Sequence, residues 1–173
     1  DLQKKLDSGK TFVRKFILIE GWNARDLKEK LNSSVGLIGK VKSLKEGIYK
    51  PDTYNYNWGD TKLSLLKRME DEQNKILDKY WSVRSKNQQI KSKYQALILA
   101  SIIEKETNKK SETKLVSSVF INRLKKNIRL QSDVTVAYGL NISGEKLVKK
   151  NLKTKNNFNT YINFGLPPSP ISY

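Results

Sequence analysis

Histidine and cysteine are both absent from the 173 residues. That removes every catalytic triad with a His base, every Cys nucleophile, His/Cys zinc sites, and haem or iron–sulfur ligation. A glycine-rich phosphate loop is missing too. Any catalysis must therefore rest on carboxylates, Lys, Tyr, Ser or Thr, and no metal or cofactor is expected. Lack of cysteine fits a reducing and an oxidising compartment equally. The apolar runs stop short of the ~20 residues a membrane span needs, and no signal peptide is visible. The chain opens at Asp1-Leu2-Gln3 without Met, which leaves room for an anchor upstream.

Charge is heavily one-sided. Lys plus Arg is 34 against 17 for Asp plus Glu, a net charge of +17. Such an excess favours anionic partners: nucleic acid, anionic lipid headgroups or an anionic cell-wall polymer. The excess is mainly Lys, with Asn and Ile also plentiful, so a solvated Lys-rich surface explains it equally well. Nucleic-acid binding would call for Arg clusters with interleaved aromatics, and the chain has none.

An almost unbroken apolar run, Tyr94 to Ile103, leads straight into Glu104. Ser92 followed by Gln95 reads as a capping box that starts a helix. A helix apolar on nearly every face is a buried one. Leu97, Ala100, Ser101 and Glu104 share one of its faces. A carboxyl beside small side chains on a core helix is partly desolvated, so its pKa rises toward that of a general acid. The plainer reading is that Glu104, Lys105 and Glu106 are simply the wet end of a buried helix.

Elsewhere, Thr11 to Glu20 reads as a strand and Ala24 to Leu31 as a short amphipathic helix. Glycines at 36, 39 and 47 punctuate a looser stretch, and Pro51 opens an aromatic-rich loop to Trp58. Asp60 is the expected N-cap of a helix carrying Leu66, Met69, Gln73, Ile76 or Leu77, and Tyr80. Ser111 caps a third helix with Leu115, Val116, Val119, Phe120 and Leu124 on its apolar face. Asn122 and Arg123 lie close to that face, as site residues or as ordinary solvent-facing groups. Asp133 is expected to cap a single helical turn. The tail from Asn159 to Ile171 holds three prolines and reads as a rigid loop.

The blocks EGW at 20–22, EGIYKPDTY at 46–54, LASIIEKET at 99–107, SVFINRL at 118–124, RLQSDVTVAYGL at 129–140 and NTYINFGLPPSPI at 159–171 follow in order. In sequence and spacing they resemble the YceG-like (MltG) family of endolytic murein transglycosylases. The resemblance implies an α+β fold. A small LysM-like α/β subdomain (1–45) would precede a mainly helical, lysozyme-like catalytic domain (46–173) that continues beyond Tyr173 in the family. It implies a single-pass, membrane-anchored bacterial protein whose catalytic part faces the cell wall. Its substrate would be nascent peptidoglycan, cleaved between N-acetylmuramic acid and N-acetylglucosamine, with peptidoglycan synthases as candidate partners and no nucleic acid.

The resemblance further implies that Glu104, the first Glu of its block, is the catalytic acid. Gln131, Asp133, Asn159 and Tyr161 would line the cleft, joined by Ser101 and Asn122 as substrate-binding candidates. One departure is Val134, where the family usually has Pro. Because Pro at a first helical position mainly pre-sets φ, Asp133 is expected to keep its geometry. Chemically, a lytic transglycosylase needs no separate nucleophile, since the muramyl C6 hydroxyl can attack C1 while one carboxyl acts first as acid and then as base. A non-catalytic cell-wall-binding module is the competing reading. If Glu104 is the acid, Gln131, Asp133 and the Asn159–Tyr161 segment converge on its groove. Glu106, ~200° further round the helix, then points elsewhere.

Overall fold

The computed structural model describes residues 12–85 and 89–173. Its elements alternate around two apolar clusters. Strand β1 (Arg14–Leu18) pairs antiparallel with β2 (Asp52–Tyr56), Phe16 lying opposite Tyr54. Strict alternation buries Phe16 and Leu18 on one strand and Tyr54 and Tyr56 on the other. The strand expected from Thr11 is thus shorter, and Thr11 itself lies outside the described residues. The aromatic stretch expected to be a loop is β2. Its Tyr-x-Tyr alternation is the strand signal that Pro51 and the flanking Asn residues obscured.

Helix α1 (Ala24–Ser33) starts at a reciprocal capping box between Asn23 and Asp26 and buries Leu27 and Leu31. Helix α2 (Lys62–Val83) is capped by Thr61, whose side chain accepts from the Ser64 N–H. Asp60, the expected cap, instead accepts from the Asn57 N–H in the preceding turn. Leu65, Leu66 and Met69 close the first cluster over the two-stranded sheet and α1. That cluster runs from Phe16 to Met69 and includes Tyr173, so apolar packing continues past residue 45.

The second cluster centres on α3 (Lys93–Glu106). The Ser92 Oγ accepts from the Gln95 N–H, as expected, while the Gln95 side chain reaches the Lys91 N–H and not that of Ser92. Leu97, Ile98, Leu99, Ile102 and Ile103 are buried, and α4 (Thr113–Lys125) covers them with Phe120. Glu112 and not Ser111 occupies the N-cap of α4. Helix α5 (Asp133–Leu140) is longer than the expected single turn; Asn141 ends it in a left-handed conformation. Two short 3-10 segments, Gly144–Lys146 and Lys149–Lys153, lead into the tail.

The tail locks the two clusters together. The Ile171 N–H donates to Ser101 Oγ at 3.0 Å, and Ser101 Oγ donates to the Ile98 carbonyl at 2.8 Å. Tyr173 then exchanges backbone hydrogen bonds with Gly21 and Trp22 at 2.9 and 2.8 Å. Gly47 sits under the tail with φ +75°, where a Cβ would lie 2.7 Å from Pro170. Gly47→Ala is therefore expected to lower stability by about 1–3 kcal/mol, through a forced left-handed conformation and overpacking. Thermal denaturation checks this; an unshifted midpoint would mean that the tail is not seated against this loop.

Candidate active site

Two carboxylates leave the end of α3 in different directions. Glu104 lines a shallow cavity of about 190 Å³ with Glu20, Ala100, Ser101 and Tyr173. Burial, followed by the negative charge of Glu20, raises its pKa, while Lys105 and Lys110 oppose the shift. Among the described residues Glu104 makes no ion pair. The desolvated carboxyl expected on this face is present, with a second carboxylate beside it.

Gln131, Asp133, Asn159 and Tyr161 do not line that cavity. Ser132, between two of those residues in sequence, bonds instead to Glu106, its hydroxyl donating to Oε1. Ser132 is only 2% exposed and occupies the N-cap of α5, yet its side chain makes no capping bond. A serine at this position ordinarily satisfies a helix N–H; here it is aimed at the carboxylate. Beside it, the Tyr161 hydroxyl donates to Asp133 Oδ1 at 2.6 Å. The Tyr161 phenol is pushed up to about 12 by burial first and then by this bond, with the charges of Asp133 and Glu106 adding. Tyr161 is consequently neutral at any physiological pH.

The scaffold beneath this cluster is a clamp between two segments far apart in sequence. The Gln131 N–H donates to the Thr160 carbonyl at 3.0 Å, and the Ser132 N–H to Thr160 Oγ1 at 3.0 Å. Thr135 and Thr160 hydroxyls meet at 2.9 Å in the buried centre of the clamp. Gln131 adopts φ +51°, a left-handed conformation uncommon for a side chain of this kind, and its side chain is exposed. Arg123 of α4 donates to the Leu130 carbonyl and so steadies the approach to Gln131.

Two expected substrate-binding residues have other work. Asn159 is fully buried; its Nδ2 donates to the Leu152 and Thr154 carbonyls at 3.0 and 2.8 Å, and its Oδ1 accepts from the Tyr161 N–H at 2.9 Å. Those bonds shape the loop that presents Tyr161 and leave the amide no free face for a ligand. Ser101 is buried, its hydroxyl both donating and accepting in the tail lock. Asn122 is exposed on α4. Ser132 and Glu20 had not been singled out in the sequence. Ser132 left a signal: a serine directly before an acidic helix start, inside the Gln131–Asp133 block.

The sequence profile of the YceG-like family matches residues 1–173. A Bacillus subtilis (strain 168) protein named endolytic murein transglycosylase is 38% identical over 133 residues, 76% of this chain and 36% of that protein. A protein of the same name from Streptococcus pneumoniae serotype 2 is 35% identical over 132 residues, 73% of this chain and 23% of its own. The crystal structure of a YceG-like protein from Listeria monocytogenes superposes with a TM-score of 0.76 at 28% identity, over 99% of this chain and 66% of that one. The chain belongs to the YceG-like family. It spans about a third or less of the length of the two transglycosylases it matches.

Because Asn159 is buried with three side-chain hydrogen bonds, Asn159→Ala is expected to cost about 3 kcal/mol. It should also loosen the Tyr161 segment. Urea denaturation and amide exchange of residues 159–163 check this; wild-type exchange there would show that the amide does not hold the loop.

Proposed function

We propose that this chain is the catalytic part of an endolytic murein transglycosylase, with Glu106 as its proton donor. The observation that carries this reading is the Ser132 hydroxyl donating to Glu106, 26 residues away in sequence, with the Tyr161–Asp133 hydrogen bond, between residues 28 apart, beside it. The family and the names of its relatives support the reaction class and a cell-wall substrate. The cleaved bond would be that between N-acetylmuramic acid and N-acetylglucosamine, and the site of action extracytoplasmic, beside the synthases that extend the strand. A LysM-like character for the N-terminal unit belongs to the same proposal.

In the mechanism, the Glu106 carboxyl gives a proton to the glycosidic oxygen as the C1–O bond breaks. Positive charge grows on the sugar ring, and the Asp133 carboxylate, one residue beyond Ser132, is the group that would favour it. The Glu106 carboxylate then takes the proton of the C6 hydroxyl as that oxygen bonds to C1 and closes a 1,6-anhydro ring. One carboxyl thus serves both steps, and the Ser132 hydroxyl fixes its orientation between them. Glu106, like Glu104, is exposed, which suits a polymer that must enter from the side.

Glu104 is the second reading. Its raised pKa and the cavity it shares with Glu20 favour it as the acid. Substitution separates the two. Glu106→Gln is expected to lower turnover at least ~10²-fold with the fold intact, and Glu104→Gln to have a far smaller effect. The reverse ranking, read from strand cleavage by purified variants, would hand the role to Glu104.

Mass spectrometry of digested peptidoglycan tests the reaction itself. Products are expected to carry 1,6-anhydro-muramic ends. Reducing muramic ends would mean hydrolysis, and intact strands would favour a non-catalytic wall-binding module.

A further inference from the structure

We propose that the cleft between α1 and α5 binds the free carboxylate of a peptide stem carried on the glycan strand, so that the protein recognises peptide-bearing strands over bare ones. This inference rests on the murein reading above and adds a subsite to it. The cleft holds about 490 Å³ and is continuous with a recess of about 310 Å³, sizes that suit a short peptide. Arg25, Lys105, Val134, Tyr138, Asn141 and Ser143 line it.

Position links the cleft to the reaction. Lys105 and Val134, on its wall, are covalent neighbours of Glu106 and Asp133. A side branch on the sugar at the cleaved bond needs only a few residues to reach it, since an extended chain spans roughly 10 Å in three residues. Charge specifies what arrives. Arg25 donates one N–H to Asn141 Oδ1, which leaves most of its guanidinium fork unused. Lys105 reaches the Gly21 carbonyl at 3.3 Å and also lends its charge to the Glu104 side of the helix. Among the described residues neither cation has a carboxylate partner.

The one acidic group bordering this space is already engaged. Glu46 lines the recess, and its oxygens accept from the Ala24 N–H at 3.0 Å and from the Tyr138 hydroxyl at 2.9 Å. Burial raises its pKa against the lowering effect of these two hydrogen bonds, and both donors turn its oxygens away from an incoming anion. Two unpaired cations in a polar cleft, with neutral Asn and Ser side chains between them, form a site for a carboxylate with hydrogen-bonding neighbours.

The test measures binding of three soluble two-disaccharide strands to the full chain carrying Glu106→Gln. One strand bears free tripeptide stems, one bears stems amidated at the C-terminus, and one is bare. The free-stem strand is expected to bind roughly tenfold tighter than the other two. Arg25→Gln with Lys105→Gln is expected to shrink that preference to within about twofold. Ser143→Asp, which removes no contact and adds a negative charge to the wall, is expected to do the same. Equal affinity for all three strands, or a preference that survives Ser143→Asp, would overturn the inference. A double variant that merely misfolds would weaken all three strands together, and Ser143→Asp then decides alone. Cleavage to anhydro ends without any stem preference would remove this subsite and leave the reaction standing. A stem preference without anhydro ends would do the opposite.

Discussion

Burial of α3 is the constraint from which the rest of the arrangement follows. The helix is apolar on nearly every face, so it must be surrounded, and no single neighbour can do that. Phe120 of α4, Leu130 before α5, Ile90 ahead of the helix and Ile171 of the tail each take one side. Because the helix is wrapped from several directions, the segments that wrap it also meet one another where it emerges into water. That meeting place is the site. The Gln131–Asp133 and Asn159–Tyr161 segments are held together through Thr160, and they are held there because both must cover the same helix.

Electrostatics at that place run against the rest of the surface. The chain carries +17 overall, and exposed lysines on α2 are paired only with near neighbours such as Asp71 and Glu72. Surface pairs of that kind contribute little. At the end of α3 the sign inverts, with Glu104 and Glu20 on one side and Glu106 and Asp133 on the other. A few carboxylates on a strongly basic body therefore stand out as a local feature against a uniform background.

Much of the architecture was legible because its signals are local. Leu27 and Leu31 at helical spacing, Ser92 before Gln95, and Phe120 among β-branched neighbours each announce an element whose packing follows the pattern. Boundaries were less legible. Asp60 and Ser111 are good caps by residue type, but the chain uses Thr61 and Glu112, since a cap is chosen by where the preceding turn delivers the backbone. The Tyr54–Tyr56 strand was hidden because its partner, Phe16–Leu18, lies far away in sequence, and a strand exists only when paired. The structural work of Asn159 was illegible for a related reason. A conspicuous amide in a loop looks like a ligand group, while its three hydrogen bonds belong to segments that periodicity cannot place.

The choice between Glu104 and Glu106 shows where one-dimensional reasoning stops. Helical spacing identifies which carboxyl shares a face with Leu97, Ala100 and Ser101, and that is Glu104. Sharing the buried face is evidence for desolvation, and Glu104 is indeed desolvated. It is no evidence of company. A group that transfers protons within a polymer needs partners that orient it and a free approach, and those depend on what packs against the helix end. Ser132 forgoes an ordinary capping bond to reach Glu106, and Tyr161 is tied to Asp133 beside it. The hydroxyl gives up a bond within its own helix for one that ties the start of α5 to the end of α3. Such an exchange is the ground on which Glu106 is proposed ahead of the more desolvated Glu104.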